Sequence, residues 1–194
     1  MGDPRKFRAV YDNPSHPWQL ERIEAEKVLV REYGLKNKTE LYKINSKVKN
    51  FTSIAKRLIA SEGPQADLEK QQLFATLHKL GLIGNSTSLD DVLSLQPKDL
   101  LERRLQTLVY RKGIARSVKQ ARQFISHEHV IVNSKKITSP SYLVSVAEEA
   151  TIAVIPTSTL SNVEHPERIA IQRKAKKPRP MRDRRDRRDR RGRR

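Results

Sequence analysis

The chain has 194 residues with 40 Lys or Arg against 22 Asp or Glu, a formal net charge of +18. It has no Cys, which excludes disulfide frameworks, thiolate zinc sites, iron–sulfur clusters and cysteine nucleophiles. No run approaches the roughly 20 apolar residues that span a bilayer and no apolar leader opens the chain, so the charge excess calls for a polyanion, nucleic acid before membrane.

Residues 1–17 hold Pro4, Pro14 and Pro17 with Arg5, Lys6 and Arg8 and no apolar period, which predicts an extended basic arm. From Trp18 the pattern turns helical. Leu20, Ile23, Leu29 and Val30 mix with Glu and Arg up to Tyr33, and Gly34 suits the residue just past a helix end. Trp18 is expected to pack at the start of this helix rather than to stack on a base. A second helix begins near Asn37 or Thr39 and carries Leu41, Ile44, Val48, Phe51, Ala55, Leu58 and Ile59 at steps of three and four. Its other face presents Lys43, Lys47, Lys49, Lys56 and Arg57. Glu62, Gly63 and Pro64 break the period, and a third helix sets Leu68, Leu73, Leu77 and Leu80 on one side before Gly81.

Turn formers fill 84–88, Leu89–Leu93 reads as a short helical piece, and Gln96 and Pro97 fit the cap and first turn of another helix. That helix is expected to span Asp99–Lys112, with Leu101, Leu105, Leu108 and Val109 inside and Arg103, Thr107 and Arg111 outside, flanked by Arg104 and Tyr110. After Gly113, Ser117 caps a further helix to about Ser126. Val118, Ala121 and Ile125 form its inner stripe with Phe124 at the margin, and Lys119, Gln123 and His127 align outside with Gln120, while Arg122 flanks the stripe. Strand chemistry follows at Val130–Val132, a turn at Asn133–Lys136, and strands at Tyr142–Val146 and Thr151–Ile155.

Residues 173–194 hold 14 Lys or Arg and three Asp, a net +11, which leaves +7 for the rest of the chain. With an Arg-Asp-Arg period and almost no apolar residue, this tail is expected to be disordered. The expected organisation is therefore an arm (1–17), a helical domain (18–98), a compact basic module (99–157), a linker (158–172) and the tail (173–194).

Basic residues on an exposed helix are usually only solvated. Residues 103–122, however, include Arg103, Arg104, Arg111, Lys112, Arg116, Lys119 and Arg122 and no acid, whereas an ordinary solvated face interleaves both signs. Arg suits such a surface because its planar fork grips phosphate in two places and stacks on bases. Lys36, Lys38, Lys47 and Lys49, Arg5, Lys6 and Arg8 of the arm, and Arg173, Lys174, Lys176 and Lys177 of the tail are expected as auxiliary RNA contacts. His127 and His129 lack further ligands nearby, and Asp90, Asp91 and Glu102 suit helix N-terminal charges better than a catalytic pair. No metal, cofactor or catalytic residue is expected.

The run DLLERRLQTLVYRKGIARSVKQARQFISHEHVIVNSKKI strongly resembles the S-four RNA-binding domain, which takes its name from a small-subunit ribosomal protein family. The earlier EYGLKNKTELYK resembles the N-terminal region of that family in its archaeal and eukaryotic form. The resemblance implies an α+β fold, with a helical N-terminal domain beside a module of two basic helices on a short twisted sheet. It places RNA against those helices and the hairpin after them. Mapped by face and spacing, the contacts are Arg103, Arg104, Thr107, Arg111, Lys112, Arg116, Ser117, Lys119, Gln120, Arg122, Gln123, His127, Lys135 and Lys136. It further implies a cytoplasmic ribosomal protein that binds a multi-helix junction in the 5′ domain of small-subunit ribosomal RNA and acts early in assembly. Its site would be near messenger RNA at the entry side, beside the S-five family and with no homo-oligomer. Bacterial relatives with a cysteine-held zinc differ, since this chain has no Cys, and the Arg-Asp tail reads as a lineage-specific extension. Two alternatives are an RNA-modification enzyme or accessory protein, for whose catalytic domain the helical half leaves no room, and a non-ribosomal RNA chaperone.

Overall fold

Leucine and isoleucine at steps of three and four build the first half of the protein. The computed structural model describes residues 9–84, 88–162 and 165–166, so the expectations for Arg5, Lys6, Arg8 and the basic tail lie outside the described residues. Helix α1 (Leu20–Glu32) ends where Gly34 takes a left-handed φ of 57°. The long α2 (Lys38–Ala60) turns Leu41, Ile44, Val48, Ala55 and Leu58 inward, as its period predicts. Pro64 starts α3 (Pro64–Leu80), and α4 (Leu89–Leu93) and α5 (Pro97–Glu102) complete the layer over α2. Ser88 caps α4, whose first turn carries Asp90 and Asp91, whereas Glu102 ends α5 rather than starting a helix.

Three apolar expectations for this half are corrected. Trp18 is 91% exposed and precedes α1 without packing at its start. Ile59 and Leu68 are each 53% exposed. Ile59 lies about 100° around the helix from the buried Leu58, and Leu68 lies about 200° from the buried Ala66, so neither shares the inner row.

The helix expected over Asp99–Lys112 is two helices. Arg103 leaves the helical path (φ −83°, ψ 1°) and Arg104 is extended (φ −71°, ψ 139°) before α6 (Leu105–Arg111) begins. A tertiary pairing wins over helix propensity here. Leu105 N donates to Tyr142 O (2.8 Å), Val144 N donates to Arg103 O (3.0 Å), and Arg104 forms a β-bridge with Leu143. The break is also where the core changes over. Leu100 and Leu101 pack with the N-terminal helices, and Leu105 opens a second core with Leu108, Val109, Ala121, Phe124, Ile125, Val130 and Val132. Ile125 is fully buried there, worth about 1.5–3 kcal/mol of transfer free energy.

Ser117 caps α7 (Val118–Ser126) by accepting from Gln120 N at 3.2 Å. Phe124 is not marginal: it is 3% exposed, because α7 lies across the sheet with both Phe124 and Ile125 inward. The sheet is antiparallel in the order β2-β1-β3, with β1 (Val130–Val132) central, β2 (Lys135–Lys136) and β3 (Ala153–Val154). Register pairs Val132 with Lys135 and Val130 with Val154. Asn133 and Ser134 both have positive φ (48° and 62°), the two-residue turn that matches strand twist, so Lys135 and Lys136 belong to a strand and not to the turn. Nor is Tyr142–Val146 a strand. Only Leu143 pairs, and Ser145 with Glu148 then forms a capping box that starts α8 (Val146–Glu149).

Two glycines let the halves approach. A Cβ on Gly34 would lie 3.0 Å from Val118 Cγ1, and one on Gly81 (φ 65°) would lie 2.7 Å from Val146 Cγ2. Val146 is half exposed and free to yield, so Gly81→Ala is expected to cost mainly the left-handed backbone penalty of about 1–2 kcal/mol, read as a lower urea midpoint at unchanged m-value.

Candidate RNA-binding surface

The basic residues of the module divide into an inner and an outer set. Arg104 is 1% exposed and sits under the joint between the halves. Its Nη2 donates to Glu40 Oε2 at 3.0 Å and Ser141 Oγ at 3.4 Å, while Arg122 Nη2 donates to Glu40 Oε1 at 2.5 Å. One carboxylate from α2 thus holds two arginines from the module. Burial pushes the Glu40 carboxyl up, but hydrogen bonds from Arg122 and Arg104 and their charges outweigh it and hold it below the ordinary carboxylate range. Burial pulls the Arg104 guanidinium down and Glu40 offsets this only in part, yet the group keeps its charge.

Arg103 is committed as well. Its Nη1 donates to Glu149 Oε2 at 2.7 Å and its Nη2 to Val144 O at 3.3 Å. Thr107, expected outside, is buried and its hydroxyl donates to Leu101 O at 2.8 Å. Gln106 beside it is 1% exposed, and its Nε2 bridges Gly34 O (3.2 Å) and Val118 O (2.9 Å). These placements follow from the break at Arg103–Arg104, which turns the expected outer face of a single helix into the joint. Ser117 caps α7, and Gln120 Oε1 in its first turn accepts from Arg116 N at 2.8 Å.

The outer set is Arg111, Lys112, Arg116, Lys119, Gln123, His127, Lys135 and Lys136, all exposed. Lys119, Gln123 and His127 follow one another up the outer side of α7, and β2 adds its two lysines beyond the turn. Arg111 meets Glu102 at 2.9 Å and Lys136 meets Glu128 at 3.7 Å, but in both pairs the partners are about half exposed, so each contributes little and exchanges readily for phosphate. Lys112 Nζ donates to Glu149 O. His127 lies edge-tilted 6.4 Å from His129, whose Nδ1 is 3.0 Å from the Ser158 hydroxyl. On the other half, Lys36, Lys47 and Lys49 are exposed and Lys38 pairs with Glu26 at 3.0 Å.

The family model described as "S4 domain" matches residues 103–149. The small ribosomal subunit protein uS4 of Methanococcus aeolicus is 49% identical over 169 residues, covering 87% of this chain and 96% of the relative. That of Methanococcus maripaludis is 48% identical over 171 residues, covering 88% and 96%. The chain belongs to the uS4 family of small ribosomal subunit proteins. The S4 match begins at Arg103, the residue just past the end of α5, where the core changes over. Within this uS4 chain the residues that sequence reasoning missed are the positioning ones: Glu40, Gln106 and Glu149, with Gly34 and Gly81 as points of close contact. One signal was present for Glu40. It is the single acid in residues 33–61, an oddity in a basic helix.

Proposed function

We propose that the chain is a structural, non-catalytic RNA-binding constituent of the small ribosomal subunit, resident in the cytoplasm, and that its outer set of cations and amides contacts ribosomal RNA. The observation that carries this reading is the division of charge. The inner arginines are ion-paired within the fold, while Lys119, Gln123 and His127 on the outer side of α7 and Lys135 and Lys136 on β2 remain exposed. Phosphates bound there would release condensed counterions, and the Gln and His rows would read shape and base edges rather than charge. The near-full-length similarity to relatives named as small ribosomal subunit proteins supports the same site of action.

In finer detail, the target is a multi-helix junction in the 5′ domain of the small-subunit RNA, bound early in assembly. Neighbours would include the S-five family and messenger RNA at the entry side, with Lys36, Lys47 and Lys49 as auxiliary contacts and the basic tail adding to affinity. The test is sedimentation with footprinting. The protein is expected to remain with small subunits after a high-salt wash and to protect a junction of the 5′ domain from chemical probing. Recovery only in the ribosome-free fraction would reject the proposal.

A further inference from the structure

A cavity of about 290 Å³ lies where residues 12–16 cross the start of α1 and the middle of α2. That is close to the size, about 300 Å³, at which ligand sites begin. Arg22 and Glu26 reach it from α1, and Tyr42, Asn45 and Lys49 from α2. The crossing segment is tied lightly. Asp12 N donates to Ser46 Oγ at 2.9 Å, and Arg22 Nη2 donates to the carbonyls of His16 (3.1 Å) and Pro17 (2.9 Å).

Its chemistry differs from the rest of this chain. Asp12 and Glu26 offset Arg22 and Lys49 around the cavity, whereas the protein as a whole carries +18. A balanced lining does not select a phosphate. Two polar atoms of the lining residues are enclosed without a partner, the donor Arg22 Nε and the acceptor Asn45 Oδ1. An enclosed orphan of this kind destabilises the fold until a partner satisfies it. Flat surfaces are also at hand. The Arg22 guanidinium is fixed by Glu26 and the two carbonyls, and Tyr42 pairs with Tyr11 at 6.4 Å between ring centroids. A neutral planar group that offers an acceptor beside a donor and stacks on guanidinium or phenol is a nucleobase.

The geometry points to this cavity as the seat of one unstacked base of the bound RNA. The inference rests on the proposed RNA-binding function and adds a second, base-directed contact on the opposite half from the α7 surface. Because the orphan atoms are enclosed, the base enters as the lightly tied segment at 12–16 shifts, and it takes over the hydrogen bonds that Arg22 Nε and Asn45 Oδ1 lack.

The experiment binds the full chain, Asn45→Leu and Ser15→Trp separately to a transcript of the 5′ domain of small-subunit ribosomal RNA. Bases are probed with dimethyl sulfate and carbodiimide, and the backbone with hydroxyl radical. Asn45→Leu removes the acceptor; Ser15→Trp fills the cavity from an exposed position outside both cores, which guards against misfolding of the first variant. The expected result is an unpaired base protected by the unaltered chain and left reactive by both variants. The backbone footprint would be unchanged and affinity about tenfold weaker. An identical base pattern for all three proteins overturns the inference while leaving the RNA-binding function standing, as does protection that requires a second small-subunit protein. No footprint with any of them would overturn the functional proposal itself, and this inference with it.

Discussion

Glu40→Ala is expected to destabilise the protein by about 3–5 kcal/mol, the range for removing one partner of a buried ion pair. The side chain of Arg104 is 1% exposed, so without the carboxylate its guanidinium is left charged and dry. Two of its nitrogens, Nε and Nη1, already lack partners, and the other acceptor it meets, the Ser141 hydroxyl at 3.4 Å, carries no charge. Arg122, whose side chain is 24% exposed, loses less because water reaches it. Urea unfolding measures the loss, and Glu40→Leu combined with Arg104→Leu is expected to recover much of it, since an apolar pair carries no stranded charge. A loss below about 1 kcal/mol would show that the clamp is incidental. The same site gives a pH dependence. The folded Glu40 carboxyl lies below its unfolded value, so its contribution is complete above the ordinary carboxylate pKa. It is lost as pH falls through the depressed folded value, so the Glu40→Ala variant is expected to show a flatter stability profile on the acid side.

The second large effect concerns RNA. Replacing Lys119, Lys135 and Lys136 together by Ala is expected to weaken binding to the 5′-domain transcript by roughly 10- to 100-fold near 0.15 M salt. The slope of log affinity against log salt should become shallower by about 2–3. All three are exposed, and Lys136 has only a loose partner in Glu128 at 3.7 Å, so unfolding midpoints are expected to stay within about 0.5 kcal/mol of the unaltered chain. Equal slopes for the two proteins would place the phosphate contacts elsewhere. Arg103, Arg104 and Arg122 are not suitable substitutes in this experiment. Each is bound to an acid of the fold, and losing it would confound stability with binding.

Much of this architecture was readable from the residues. The α2 stripe, the ends at Gly34 and Gly81, the Ser117 cap and the β-branched β1 all express local rules, and local rules are written in adjacent letters. The break at Arg103–Arg104 was not readable because it is caused by pairing with residues 142–144, some forty positions away. The charge argument misplaced three of its arginines in the same way. Residues 103–122 contain no acid, yet Glu40 and Glu149 arrive from both sides of the sequence to pair with three of the arginines. A one-signed run is evidence about neighbours in the chain, and ion pairs form between neighbours in space. The outer row of α7 survived because its amphipathic period is local and its inner face is filled by Ala121, Phe124 and Ile125.

The long reach of the clamp imposes an order on the birth of the molecule. Arg104 follows Glu40 by 64 residues and Arg122 follows it by 82. At about 5–20 residues per second, those partners are made roughly 3–16 s after the acid. The buried residues of the first core end at Leu101, with the half-buried Leu143 added later, so the N-terminal helices possess most of their interior before the arginines exist. The carboxylate of Glu40 is then solvated and its docking face bare. Closure follows in sequence, with the arginines first and, among the described residues, Leu160 of the second core last, and a chain stopped between those points holds a packed helical half beside an unsealed joint.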